Sequence, residues 1–205
     1  MLQLIRSFFE GCEQEGVSYS IWKSLENLDT QLEGDGDIDV VFDPAQRGVV
    51  KCHLATHQFI FDSKSPATVG QDILVYRGYD QPTGTYVSLH VHFHCRFGSK
   101  MHKECRYAHE LEMFRDQVDY GGIKRLCDGH FFAIRLLAVA VRETANDEFV
   151  SEIGRRYISG LSEKDEAILS DRIRKYFGCN PHDLMLRLSN QGASALHPYR
   201  AMVEA

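Results

Sequence analysis

The chain has 205 residues, 43% of them hydrophobic and 25% charged, so it holds enough apolar material for a core of its own. This composition excludes disordered, collagen-like and coiled-coil chains. The net charge of −6 argues against a protein that coats duplex nucleic acid or an anionic membrane, and we expect no long nucleic-acid partner. No apolar run approaches the roughly 20 residues of a membrane span, so no membrane partner is expected either.

The N-terminus and the cysteines indicate a cytoplasmic protein. Glu10, Glu13 and Glu15 follow the first apolar residues, and no small-residue cleavage site is present, so a secretory signal is not predicted. The six cysteines are spread along the chain without a CxxC pair, which favours free thiols in a reducing compartment.

The first 100 residues predict a mixture of helices and strands. Apolar residues from Leu2 to Cys12 recur at helical spacing, and Gly16 ends this helix. A second helix over 45–56 follows Asp43-Pro44, a typical cap and first-turn proline. Apolar and β-branched runs predict five strands, with a turn over Tyr79–Gly84. The strands are Val17–Trp22, Asp37–Phe42, Phe59–Phe61, Ile73–Tyr76 and Tyr86–His94.

From Asp128 onward the pattern is helical. One buried helix covers Phe131–Val141, a second begins after Ser162 and ends at Gly178, and a third begins at Pro181. The stretch from Cys95 to Arg125 has little periodicity and is predicted to be the junction. The expected fold class is α/β, with a small mixed sheet in residues 1–110 and an α-helical C-terminal subdomain in 111–205.

The most informative motif is Gly34-Asp35-Gly36-Asp37-Ile38-Asp39. Side chains alternate along a strand, so Asp37 and Asp39 project to the same side. Two carboxylates this close repel each other unless a cation neutralises them, and a hard divalent ion with oxygen ligands is the usual partner. The natural choice is magnesium holding a nucleoside triphosphate. The alternative is a solvated turn that leads into an ordinary strand.

A second motif is the alternation of His90, His92 and His94 within Leu89-His90-Val91-His92-Phe93-His94. All three are predicted to face one side of a strand. Such imidazoles can ligate a transition metal, or one of them can act as a general base near neutral pH. The alternative is that two of them are hydrogen-bonded spacers on a half-exposed sheet face.

A third feature is Ile21-Trp22-Lys23-Ser24, which ends a predicted strand where backbone N–H groups of a following helix can receive phosphate. Together with Gly36-Asp37-Ile38-Asp39-Val40-Val41 it resembles the nucleotidyltransferase superfamily. The pattern is most similar to an uncharacterised bacterial branch in which a Lys-Gly or Lys-Ser turn precedes a Gly-Asp-Ile-Asp strand. The resemblance covers roughly residues 17–95.

This resemblance implies a sheet of nucleotidyltransferase type and the transfer of a nucleoside monophosphate from a triphosphate such as ATP to a small-molecule or other acceptor. It implies that Asp37 and Asp39 hold Mg²⁺, with Mn²⁺ as the other candidate. It also implies that Lys23 and Ser24 bind the β- and γ-phosphates.

The sequence departs from the superfamily pattern at two positions. Lys23 stands where a glycine usually precedes the serine, and alignment on Phe93 puts His90 in place of the third carboxylate and His92 on the family histidine. His90 or His92 would then take the catalytic role of that acid. Two other hypotheses stay open: a catalytically degenerate fold that binds a nucleotide or a partner protein, and a metalloenzyme built on His90, His92 and His94. The oligomeric state is not predicted.

Overall fold

A computed structural model gives the structure of the chain and describes residues 1–63, 73–97, 105–141 and 147–199. Its strands are β1 (Tyr19–Ile21), β2 (Asp37–Phe42), β3 (Ile60–Phe61), β4 (Ile73–Asp80), β5 (Thr85–His92), β6 (Arg96–Phe97), β7 (Cys105–Arg106), β8 (Val118–Tyr120) and β9 (Ile123–Arg125). Its α-helices are α1 (Gln3–Gln14), α2 (Leu28–Gln31), α3 (Arg47–Thr56), α4 (Glu110–Arg115), α5 (Asp128–Ala140), α6 (Asp147–Gly160), α7 (Glu163–Phe177) and α8 (Pro181–Gln191).

The chain divides into two compact units. The first comprises Met1–Cys95 and Ala108–Leu126, and the second comprises Arg96–Tyr107 and Cys127–Ala205. This division differs from the boundary expected between residues 110 and 111, because β8 and β9 join the sheet of the first unit. Part of the expected junction, residues 98–104, lies outside the described residues.

The first unit contains a mixed sheet with the strand order β3-β4-β5-β2-β1-β9-β8 in the described residues. β2 pairs in parallel with β5 on one side and antiparallel with β1 on the other. β4 and β5 form an antiparallel hairpin, and β9 pairs in parallel with β1. The predicted α/β class with a mixed sheet is therefore confirmed.

The two faces of the central strands differ in chemistry. Ile38, Val40 and Phe42 of β2 pack into a hydrophobic core with Leu89 and Val91 of β5. The same core takes in the buried face of α1 and residues of α3, and the burial of these apolar side chains supplies the main stabilising term of the unit. Asp37, Asp39 and Val41 alternate with these residues along β2 and therefore point to the opposite face, where the two acids lie at the start of the strand and Val41 is buried.

Several elements differ from the sequence prediction. β5 ends at His92 rather than at position 94, and β4 extends to Asp80 because it continues its pairing with β5 as far as Asp80 opposite Thr85. The predicted turn over 79–84 is correspondingly shorter. The β8–β9 hairpin and α4 were not expected, since their strands and helix are only three to six residues long and are partly exposed.

The second unit is mainly helical, as predicted. α5 packs against α7, and α6 packs against α8. The hydroxyl of Ser162 accepts a hydrogen bond from the backbone N–H of Asp165 at the start of α7, and Gly178 ends that helix in a left-handed conformation. The unit also contains the short β6–β7 pair and the additional helix α6.

All six cysteines are free thiols. Within the described ranges, no helix combines the length and apolar character that crossing a membrane requires.

Candidate functional site

The two carboxylates of the Asp-Ile-Asp motif lie against one imidazole on the neighbouring strand. In the parallel β2–β5 pair, Asp37 is opposite Ser88 and Asp39 is opposite His90. The His90 ring reaches both acids: its Nε2 is 3.5 Å from Asp37 Oδ2, and its Nδ1 is 3.7 Å from Asp39 Oδ1. The register of β2 against β5 therefore brings two acids and one histidine, which are far apart in the sequence, into a single cluster.

Asp39 is the more enclosed of the two acids, with a side chain that is 13% exposed against 46% for Asp37. His92 Nε2 is 2.7 Å and Lys23 Nζ is 3.3 Å from its Oδ1 atom. Burial raises the pKa of the Asp39 carboxyl, but the His90 and His92 imidazoles and the positive charge of Lys23 outweigh burial and hold that pKa well below its usual range. Asp39 is therefore an anion at neutral pH.

His92 is covered and hydrogen-bonds to Asp39. Its side chain is only 2% exposed, and burial, reinforced by the positive charge of Lys23, lowers its pKa to about 4 against the opposing effect of Asp39. The ring is thus neutral at pH 7. Because a carboxylate only accepts, the hydrogen-bond geometry assigns the proton to Nε2, which donates to Asp39. Nδ1 is buried without a partner among the described residues.

His90 and His92, which the sequence left as alternatives for the third-acid role, are therefore separated by burial. The His90 side chain is 21% exposed and touches both acids, whereas His92 is covered and packs edge-on against Trp22 with ring centroids 5.1 Å apart. Only His90 is placed to meet an incoming group without a rearrangement of the fold.

Lys23 and Ser24 follow β1, at the side of β2 away from β5. Lys23 Nζ lies 4.2 Å from the centroid of the Trp22 ring, a cation–π contact that holds the ammonium beside Asp39. Ser24 has a φ of +51° and makes no capping hydrogen bond with its side chain. Glycine adopts this left-handed conformation without strain, so a glycine would fit at position 24.

His94 lies beyond the end of β5 and belongs to a different cluster. Its Nδ1 is 3.1 Å from Glu110 Oε2, and the other carboxylate oxygen of Glu110 accepts the backbone N–H of Cys95 at 2.6 Å. His90 and His92 face Asp39 instead. In the described part of the chain, no group of three or more His, Cys, Asp and Glu side chains is arranged to hold a metal ion. The three-histidine metal site of the alternative hypothesis is therefore not formed there.

Arg77 is a charged neighbour of the acids that the sequence analysis did not single out. It stands on β4 opposite Ser88, with Nη1 4.0 Å from Asp37 Oδ1 and Nε 3.5 Å from Asp62 Oδ2. Finding it requires the register of β4 against β5, which no local sequence signal gives. The sequence pattern of β4 alone shows only which face of its strand Arg77 shares, not which residues of other strands lie beside it.

The donor set fits a magnesium ion held in the manner common for nucleotide enzymes. Mg²⁺ is usually bound by one or two carboxylates, and phosphate oxygens and water fill its other positions. Asp37 and Asp39 supply carboxylates on adjacent positions of one face, and Asp37 is half-exposed. Lys23 already compensates Asp39, so Asp37 is the more open of the two carboxylates.

A cavity of about 380 Å³ lies elsewhere in the first unit. It is bordered by the first turns of α1, the end of α3 and the β4–β5 turn, and its lining includes Gln3, Ser7, His57, Gln58 and Asp80. Asp80 is buried there, and its carboxylate accepts the backbone N–H of Leu4 at 2.7 Å. This hydrogen bond satisfies an N–H group at the start of α1, which is a structural role. None of the predicted site residues lines this cavity.

No protein-family model and no curated protein matches the chain. Among solved structures, the solution structure of the antibiotic-resistance factor ANT(2'')-Ia is similar to it, with a TM-score of 0.39 and 11% identity, over 97% of this chain and 88% of that chain. A likeness of this size carries no argument about activity or acceptor.

Proposed function

We propose that the chain is a metal-dependent nucleotidyltransferase that moves a nucleoside monophosphate from a nucleoside triphosphate to a small-molecule acceptor. The observation that carries the proposal is the cluster formed by Asp37 and Asp39 on β2 with His90 directly opposite on β5. The Lys23-Ser24 turn beside the cluster, and the resemblance of both motifs to the superfamily pattern, support the same function.

Asp37 and Asp39 would hold Mg²⁺ or Mn²⁺ in this reaction. When bound, the metal would neutralise charge on the α-phosphate and help to orient it for in-line attack. Lys23 and the backbone at Ser24 would receive the β- and γ-phosphates. Lys23 suits this role because its ammonium lies 3.3 Å from Asp39 and is partly exposed, so it can shift from the carboxylate to a phosphate oxygen.

His90 would accept the proton of the attacking hydroxyl. It aligns with the third acid of the superfamily pattern, contacts both carboxylates, and is partly exposed to solvent. An imidazole can accept a proton near neutral pH, so it can replace a carboxylate as general base. His92 would keep the Asp39 carboxylate in position through its Nε2–H hydrogen bond.

A second candidate is a degenerate member of the same fold that binds a nucleotide without turnover. The observation in its favour is that the residue opposite Asp39 is a histidine, not the third carboxylate of the superfamily pattern. Magnesium-dependent nucleotide binding with no transfer to any acceptor would support this candidate over the enzyme.

The experiment is a thermal-unfolding titration with ATP, GTP, CTP and UTP, each with and without magnesium. A ligand at about 100 times its dissociation constant adds about 2.7 kcal/mol to the free energy of unfolding. We expect a magnesium-dependent rise with at least one nucleotide. Asp37→Asn should abolish that rise. Asp43→Asn, at the far end of the same strand, should keep it, because Asp43 caps a turn by accepting the backbone N–H of Ala45. Equal rises in both variants would contradict the proposal.

A further inference from the structure

Trp22 contacts three residues of the enclosed part of the site. Lys23 Nζ lies 4.2 Å from the centroid of the indole ring, and the His92 ring packs edge-on against it with centroids 5.1 Å apart. The backbone N–H of Trp22 donates to the backbone carbonyl of Asp39, with the nitrogen 3.2 Å from the oxygen. Lys23 and His92 also pair with the Asp39 carboxylate. The ring is thus shared by two of the side chains that surround Asp39.

We propose that Trp22 is a positioning residue for nucleotide binding, whose ring holds the Lys23 ammonium at the place where the β- and γ-phosphates bind. This inference rests on the proposed function, in which Lys23 receives those phosphates. Trp22 itself is only 1% exposed, so it is covered from an incoming nucleotide. The ring therefore acts on nucleotide affinity through its neighbour Lys23, whose side chain is 27% exposed.

Asp39 is not a sufficient anchor for Lys23 once a divalent metal is bound. The ammonium lies 3.3 Å from Asp39 Oδ1, and the proposed function places Mg²⁺ on the same carboxylate. A divalent ion there competes for the carboxylate oxygens and repels the ammonium. The indole ring carries no charge and is not a metal ligand, so its attraction for the ammonium persists when the metal binds.

A neutral anchor also leaves the charge of Lys23 available. A carboxylate that pairs with an ammonium compensates its positive charge, whereas an aromatic ring attracts the ammonium through its quadrupole and leaves the formal charge unchanged. The triphosphate is strongly anionic, and Lys23 attracts it as a point charge. The contact with Trp22 therefore keeps an uncompensated cation beside the carboxylates when the metal has taken them.

The contact further lowers the entropic cost of binding. Lysine is among the side chains that lose most rotamer freedom when they are fixed in one place. The Trp22 ring is buried and holds the ammonium before the nucleotide arrives, so part of this cost is already met in the free protein. Removal of the ring should therefore weaken nucleotide binding although the ring does not touch the nucleotide.

The first experiment measures the position of Lys23 in the nucleotide-free protein by NMR. Protons over the face of an indole ring resonate at lower frequency than the same protons elsewhere. We expect the methylene protons next to the Lys23 ammonium to be shifted in this way relative to those of the exposed Lys51, and we expect Trp22→Leu to abolish the shift. Lys23 and Lys51 signals at equal frequency in the wild type would overturn the inference.

The second experiment is a double-mutant cycle on the nucleotide Kd. Isothermal titration calorimetry with magnesium and each of ATP, GTP, CTP and UTP compares the wild type with Trp22→Leu, Lys23→Met and the double variant. Trp22→Phe keeps a buried ring and replaces Trp22→Leu in the cycle if the leucine variant does not fold. The control is Phe9→Leu, which removes a fully buried ring from the core of the same unit, where Phe9 stacks on Tyr19.

Trp22→Leu should raise the nucleotide Kd about three- to tenfold, the range expected for loss of a partly buried cation–π contact. Trp22→Phe should raise it less, because a ring face remains. In the Lys23→Met background, the same changes at Trp22 should alter the Kd by less than about twofold, since the ammonium that the ring holds is absent. Phe9→Leu should also alter it by less than about twofold.

An equal rise in Kd with and without Lys23, or a similar rise in Phe9→Leu, would overturn the inference, because the ring would then act through the general fold. The two proposals fail separately. Absence of magnesium-dependent nucleotide binding in the wild type would refute the proposed function, whereas the NMR shift of Lys23 decides in either case whether Trp22 holds the ammonium.

Discussion

The buried imidazole of His92 makes the stability of the protein depend on pH in a way that can be measured. In the folded chain the ring is neutral, fully covered and hydrogen-bonded to Asp39, with a pKa of about 4. In the unfolded chain the same ring is exposed to water and takes up its proton near pH 6.5. Between these two pH values, the unfolded chain binds a proton that the folded chain does not.

The sign and size of the effect follow from this difference. Because the unfolded state binds more protons, the free energy of unfolding falls as the solution is acidified below about pH 6.5. With a folded pKa of about 4, the loss is about 2 kcal/mol between pH 7 and pH 5, and it reaches about 3 kcal/mol at pH 4. The stabilisation that comes from keeping His92 neutral is thus fully present above the pKa of about 6.5 that the ring has in the unfolded chain.

Urea unfolding at pH 7 and pH 5 measures this loss, and His92→Gln is the matched control. A glutamine amide can still donate a hydrogen bond to Asp39, but it does not titrate. Other buried histidines, such as His53 and His130, are present in both proteins, so their contributions cancel in the difference. The wild type should lose about 2 kcal/mol more than the variant between the two pH values. Equal losses, within about 0.5 kcal/mol, would refute the assignment of a neutral, covered His92.

Other predictions concern the acids and the turn of the same site. Asp39→Asn should lower the free energy of unfolding by about 1–3 kcal/mol, because Lys23 and the buried His92 lose the carboxylate with which they pair. Asp37→Asn should change it by less than about 0.5 kcal/mol, because the Asp37 side chain is half-exposed. Urea midpoints of both variants check this, and equal effects would contradict it. Position 24 has a left-handed backbone conformation, so Ser24→Gly should keep or raise the free energy of unfolding and Ser24→Val should lower it by about 1–2 kcal/mol. Thermal unfolding of both variants measures the difference, and a valine variant as stable as the wild type would contradict this backbone conformation.

Much of the fold can be read from local pattern. The predicted strand Asp37–Phe42 begins and ends at the same residues as β2. The structure also contains the predicted buried helix after Asp128 and the predicted helix between Ser162 and Gly178. These segments have strong periodicity or a defined cap, which are local signals. The ends of β4 and β5 could not be predicted, because they depend on the pairing of the two strands, which runs from Ile73 opposite His92 to Asp80 opposite Thr85.

The site was accessible from sequence only in part. The alternation of side chains indicates that Asp37 and Asp39 share a face, but it cannot show that Lys23, His90 and His92 surround Asp39. From sequence alone the two carboxylates are expected to repel each other. The structure instead gives Asp39 enough favourable partners to keep its pKa low. Arg77 could not be found at all, because its relation to Asp37 runs through the register of three strands.

The proposed function depends on Asp37 and Asp39 holding a divalent metal together with a nucleoside triphosphate. Electron paramagnetic resonance of Mn²⁺ tests it directly, because free and bound Mn²⁺ are distinguished in solution. We predict that the wild type binds one Mn²⁺ per chain more tightly when the triphosphate is present, and that Asp37→Asn loses this binding while Asp43→Asn retains it. Undiminished Mn²⁺ binding in Asp37→Asn, or none in the wild type with any of the four triphosphates, would contradict the account.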